Sequence, residues 1–229
     1  MRFFIIILYL LLVGCVNDKS YYINGVYMDS TDFYSQKRTG DYVIYKNKMR
    51  RESGTLLKSK NIGYSYFYDS LGHVDSVYHY ILFHKDSICM GYWGENSDYD
   101  DTENKMSYVN QVWVFKKGER HDIDSANSTF YRSYLKEDTV NYGDSVFLYT
   151  QLPCVFYNDK QDSLCYLFSY TVPEFNGKEK IQKRATPYSV FKYKPKQKGK
   201  IEIRFSITEL NYTKSQNISY FGYENVVVK

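Results

Sequence analysis

Cys89 and His79 are the residues of this 229-residue chain whose types and spacing come nearest to nucleophilic chemistry. A three-residue turn at residues 84–86 sets Cys89 opposite Ile81 and leaves His79 diagonal to it on one strand face, the proximity that a cysteine–histidine pair needs. The same face carries Val77, Phe83 and Trp93. Those neighbours predict a core cysteine with an inert thiol instead of a nucleophile. His73, His79, His84 and His121 do not recur at metal-ligand intervals, and no Cys-x-x-Cys pair joins them. There is no Gly-rich phosphate loop and no Gly-x-Ser-x-Gly elbow. Glu95, Asp98, Asp100, Asp101 and Glu103 form an acidic run, but they lack the order of a calcium-binding EF-hand and predict a solvated loop. The expectation is a chain with no catalytic residues, no bound metal and no cofactor.

Binding chemistry is better represented. Lys192, Lys194, Lys196, Lys198 and Lys200 fall at every second position, so on an extended chain they share one face. Such a stripe suits anionic headgroups, an acidic glycan or an acidic partner, and it equally suits protection of an edge strand against aggregation. Trp93 and the surface members of 27 tyrosines supply rings that could stack on sugars, although most rings must fill cores and cross-strand pairs. Lys and Arg number 30 against 26 Asp and Glu, a formal net charge of +4. That balance is too small to argue for a nucleic-acid partner.

Cys154 and Cys165 raise a structural possibility. If residues 158–161 form a four-residue hairpin turn, Cys154 faces Cys165 across the strands, slightly wide for a disulfide unless the strands pinch. Two small buried hydrophobes with free thiols are the alternative.

The elements that must position these residues are strands. The chain is 43% hydrophobic and 24% charged, within the globular range, and Tyr and Phe are abundant while Pro and Gly are few. β-rich segments recur at residues 42–45, 64–68, 74–83, 87–93 and 108–115, joined by short polar turns at residues 69–72 and 84–86. They predict an antiparallel meander. The polar residues 116–122 mark a boundary. A second set follows at residues 130–135, 145–150, 164–171, 188–193, 200–207 and 220–228. In the fifth of these, Ile201, Ile203, Phe205 and Ile207 alternate with Lys200, Glu202, Arg204 and Ser206, the period of a strand with one wet face. The predicted class is all-β: an antiparallel meander domain at 41–118, then a sandwich at 128–229 whose strand number and spacing resemble an immunoglobulin-like domain. Residues 15–40, mixed in polarity, are expected to be a tether.

The front of the chain carries the clearest signal. Arg2 precedes an unbroken apolar run over residues 3–13. Eleven helical residues span roughly 16 Å, about half a bilayer core, so the run predicts a cleaved signal peptide over residues 1–14. Leu12-Val13-Gly14-Cys15 resembles the lipobox of bacterial lipoproteins, in which cleavage falls between Gly14 and Cys15 and the Cys15 thiol carries diacylglycerol. The resemblance implies a cell-envelope protein anchored in a membrane by its N-terminal lipid. With no Asp directly after Cys15, the implied address is the outer membrane. The usage of Tyr, Lys, Asn and Asp resembles that of Bacteroidota proteins. Asp-Ser or Asp-Thr before an apolar residue or Thr recurs, as at Asp29, Asp69, Asp75, Asp124 and Asp144, and resembles the O-glycosylation sequon of Bacteroidota envelope proteins. It is also ordinary turn chemistry. The functional expectation is a non-catalytic binding module for glycan or another extracellular ligand. A periplasm-facing accessory of an envelope protein complex and an unrecognised hydrolase are the alternatives.

Overall fold

The computed structural model describes residues 19–35, 37–84, 105–117, 122–154 and 164–229. The protein is all-β, built almost entirely from antiparallel sheets, and divides into two compact units, residues 1–108 and 109–229. Cys15, Gly14, Cys89, Trp93, the acidic run and the expected strand at residues 87–93 lie outside the described residues. Among the described residues no helix is long and apolar enough to cross a membrane.

The first unit is the expected meander, but it begins earlier. β1 (Lys19–Ile23), β2 (Val26–Met28), β3 (Gly40–Lys46), β4 (Met49–Leu57), β5 (Lys60–Tyr68), β6 (Val74–His84) and β7 (Lys105–Val114) form one sheet in the order β2-β1-β3-β4-β5-β6-β7. The division between the units falls inside β7, between Tyr108 and Val109, and not at the polar residues 116–122. The supposed tether contains β1, β2 and a six-residue helix α1 (Ser30–Ser35). Two-residue turns drive the pairing. Asn24-Gly25, Asn47-Lys48 and Lys58-Ser59 each place both residues at positive φ, the geometry whose twist matches that of the strands it joins. Lys58-Ser59 bears the steric cost of that region with help from its surroundings. Its backbone donates to Thr39 Oγ1 at 3.0 Å and to the Arg38 carbonyl at 2.6 Å, and Ser59 Oγ accepts from the Arg38 amide at 2.7 Å.

Helix α1 is set by Asp29, whose Oδ1 accepts from the Asp32 amide at 2.8 Å. It presses Phe33 onto the sheet, where Tyr21, Ile23, Tyr42, Ile44 and Leu56 complete a small core. At Asp69 and Asp124 the carboxylates accept backbone amides within their own turns. Three of the Asp-Ser pairs therefore do local capping work. Ser76, in a fourth, is buried in β6.

The second unit holds β8 (Phe130–Leu135), β9 (Thr139–Val140), β10 (Val146–Cys154), β11 (Leu164–Thr171), β12 (Lys180–Arg184), β13 (Tyr188–Tyr193), β14 (Gly199–Asn211) and β15 (Gln216–Val228). One sheet runs β13-β10-β8 and the other β12-β11-β14-β15-β9, in which β9 pairs in parallel on β15. Their inner faces share one core, in which Leu148 and Phe191 from the first sheet meet Phe168, Tyr170, Ile203 and Ile207 from the second. This is a sandwich, and consecutive strands repeatedly cross between its sheets, as in immunoglobulin-like domains. β14 alternates as its sequence predicts. Ile201, Ile203, Phe205 and Ile207 are all buried and the intervening residues are half-exposed.

Two site expectations fail on this topology. β10 and β11 belong to opposite sheets, so Cys154 and Cys165 are not cross-strand partners of a hairpin. Both are buried free thiols, and burial pushes the Cys154 thiol up. The lysine stripe does not run its full length either. Lys192 ends in β13 of one sheet, Lys200 begins β14 of the other, and the chain turns between them with Gly199 at φ +112°. All five lysines are exposed, and Lys192, Lys194 and Lys196 alternate with buried Tyr193 and Pro195, but Lys192 and Lys200 belong to different sheets.

Candidate functional site

Alternation along β3, β4, β5 and β6 puts Tyr42, Glu52, Asn61 and Tyr80 on the helix side of the first unit's sheet. Together with Phe33 and Tyr34 of α1 they wall a groove of about 430 Å³. The rings are braced against one another. Tyr34 meets Tyr21 edge-on at 5.7 Å and Phe33 at 5.0 Å, and Phe33 meets Tyr42 at 5.9 Å. Tyr34 is 67% exposed, so one side of its ring looks outward.

Glu52 is the polar centre. Tyr42 donates its phenol proton to Glu52 Oε1 at 2.7 Å and also approaches Ser65 Oγ at 3.3 Å. Burial and the Glu52 carboxylate push the Tyr42 phenol far above its ordinary value. Tyr34 is raised by burial, by Tyr21 and last by the Glu52 charge, and Tyr80 by burial and then by that charge. All three phenols are therefore neutral hydroxyls at physiological pH, with Tyr42 bonded to Glu52, Tyr34 to Tyr21 and Tyr80 to Asn61. Glu52 has two oxygens and up to four lone-pair sites, so accepting from Tyr42 leaves capacity for a ligand hydroxyl. The floor is fixed by Ser107 Oγ, which donates to the Asn61 carbonyl at 2.7 Å, and by the Lys60 ammonium, which donates to the Lys105 carbonyl. Gly54 makes the arrangement possible. It sits beneath the Tyr42 ring, and a Cβ there would lie 3.0 Å from Tyr42 Cε1.

The opposite face has a hollow of about 490 Å³ lined by Tyr22, Val43, Tyr45, Asp41 and Lys48. Asp41 there is already engaged by Thr55 Oγ1 at 2.7 Å. The helix-side groove, with a braced aromatic wall and a central carboxylate, is the better formed of the two.

His79, singled out for its relation to Cys89, lies on the face opposite the groove. It stacks on Tyr64 at 4.7 Å, and burial pushes its imidazole below the ordinary histidine value. Among the described residues no group of three His, Cys, Asp or Glu is arranged to hold a metal. The groove residues Phe33, Tyr34, Glu52, Asn61 and Tyr80 carry no sequence motif. The one local signal near them is Asn24-Gly25, which marks a hairpin and so places the chain before α1 inside the domain.

No protein-family model matches the chain, and no curated protein matches it. Among solved structures, the adhesin InvE of Yersinia pseudotuberculosis aligns at 7% identity and a TM-score of 0.26, over 78% of this chain and 54% of that one. The chain thus spans about half the length of that structure's chain.

Proposed function

We propose that this protein is a non-catalytic, lipid-anchored module of the bacterial cell envelope that binds glycan through the helix-side groove of its first unit. The carrying observation is the combination of stacked aromatic walls with one hydrogen-bonded carboxylate. Sugar rings present C–H faces that pack on aromatic rings and hydroxyls that donate to a carboxylate. Tyr34 and Tyr80 supply the first contact and Glu52 the second. The negative charge of Glu52 makes the groove select neutral sugars over acidic ones.

The test is a carbohydrate array and titration with the detergent-solubilised full chain. Binding to a neutral glycan is expected to weaken about tenfold in Tyr34→Ala and in Glu52→Gln, equivalent to roughly 1.4 kcal/mol each. Tyr34 is exposed, so its loss leaves the sheet intact. Absence of binding to any neutral glycan, or affinity unchanged in both variants, refutes the groove.

The anchor supplies a second prediction. Two acyl chains hold a protein on a membrane stably where one does not, so diacylated Cys15 keeps the wild-type chain in the membrane fraction. Cys15→Ala is expected to release it, and mass spectrometry of the mature N-terminus reads the same change. Wild-type mass without added lipid contradicts the anchor and leaves the groove to its own test.

A further inference from the structure

The outer face of the β13-β10-β8 sheet has a composition of its own. Cross-strand register places Tyr149 opposite Tyr134, and Gln151 opposite both Tyr188 and Arg132. The rings of Tyr134 and Tyr149 stack at 4.8 Å and 6°, yet Tyr134 stays 54% exposed, so a ring face remains open to solvent. Tyr188 is 42% exposed and close enough to both for their phenols to disfavour its ionisation, after burial. Cations flank this platform on both edge strands. Lys192 of β13 and Lys136, which follows β8, both hold their ammonium over the Phe147 ring, at 5.5 and 5.8 Å, and Arg132 lies over Phe130 at 5.8 Å. None of the three is in an ion pair among the described residues.

Lysines on sheet edges also discourage aggregation. That role does not account for tyrosines left exposed across the sheet between them. Two ammonium groups gathered round one ring repel each other, and an anion between them relieves the repulsion. We infer that this face is a second binding surface, for an anionic polysaccharide whose sugar rings lie on Tyr134, Tyr149 and Tyr188 and whose carboxylates or sulfates meet Lys136, Lys192 and Arg132. Its residues are separate from those of the groove and its preferred charge is opposite, so it stands without the groove reading.

The experiment titrates the detergent-solubilised full chain with heparin and with polygalacturonate, using dextran as the neutral control. Affinity for at least one anionic glycan is expected to fall about tenfold in Lys136→Gln/Lys192→Gln and again in Tyr134→Ala/Tyr149→Ala, while Tyr34→Ala in the groove leaves it unchanged. Tyr134→Phe/Tyr149→Phe keeps the rings and keeps the affinity. A measurement on the unmodified chain guards against misfolded variants: the bound glycan shields Tyr134 and Tyr188 from nitration by tetranitromethane, read by peptide mass. The proposal is overturned by failure to bind either anionic glycan, by unprotected tyrosines, or by an unchanged affinity in the tyrosine-to-alanine pair. It is equally overturned if duplex DNA or phosphatidylserine vesicles bind as tightly at the same salt, because charge alone then explains the binding. Loss of anionic-glycan affinity in Tyr34→Ala would move that ligand to the groove and likewise overturn it.

Discussion

Phe191→Ala is expected to destabilise the second unit by about 3–5 kcal/mol, the range for emptying a fully buried aromatic site. Phe191 is 0% exposed and occupies the place where the two sheets meet. Its ring lies parallel to Tyr170 at 4.5 Å and 7°, and meets Tyr193 at 6.1 Å and Phe175 edge-on at 6.4 Å. The cost depends on whether neighbours can collapse into the space. Here they are held back: Tyr170 Oη is tied to Thr150 Oγ1 at 2.6 Å, and Thr150 sits in β10, paired on both sides. Pulling the ring inward breaks that bond in a buried site, which itself costs about 1–3 kcal/mol. A urea titration reads the change as a lower midpoint with an unaltered slope. Phe191→Leu, which leaves most of the volume filled, is expected to lose less. A shift below about 1 kcal/mol for the alanine variant would show that the site collapses freely and that Tyr170 is not held in place.

A contrast between locally encoded and partner-supplied features explains what the sequence shows. β8, β11 and β13 coincide with the segments read at residues 130–135, 164–171 and 188–193, and β14 extends the one at 200–207. Each is rich in aromatic or β-branched residues, and their preference for a half-buried pleat needs no knowledge of the partner. β4 is different. Arg50, Arg51, Glu52 and Gly54 show no strand pattern, and they form a strand because tertiary contacts satisfy them: Arg50 covers the Tyr68 ring at 5.0 Å and Glu52 receives the Tyr42 phenol. β12 is equally hidden, since Lys180, Lys183 and Arg184 lie on a sheet edge, where charge is expected but the strand period is obscured. β1 and β2 are joined by Asn24-Gly25, a hairpin signal set in polar surroundings that have no sustained apolar period. The lysine stripe and the cysteine pair fail for one shared reason. Period two holds only while the chain stays extended, and hairpin facing holds only if both strands join the same sheet. The groove is legible in no single segment, because α1, β4, β5 and β6 contribute one or two residues each and only the register of the meander gathers them.

Gly222→Ala is the smallest side-chain addition with a large expected effect, about 1–3 kcal/mol of destabilisation in the second unit. Gly222 stands opposite Phe205 in the β14–β15 ladder, and a Cβ there would overlap the Phe205 ring and come 2.5 Å from Tyr131 Oη. Neither ring has room to yield. Phe205 is 2% exposed and meets Tyr131 edge-on at 5.3 Å and 88°, while Tyr131 donates to the Phe221 carbonyl at 2.9 Å. Nor can the strand back away. The buried Asn110 side chain donates to the Phe221 carbonyl and accepts from the Phe221 amide, both at 2.8 Å, pinning the backbone beside Gly222. A bare glycine inside a strand is ordinarily a weakness, and here the ring laid across it supplies the missing packing. Coupling is therefore expected as well as loss. Phe205→Leu alone should destabilise by removing the ring, but in the Gly222→Ala background it should also relieve the overlap. The double variant is then more stable than the sum of the single changes predicts, by about 0.5–3 kcal/mol. Strict additivity in chemical denaturation would mean that the Phe205 ring is not what excludes a side chain at position 222.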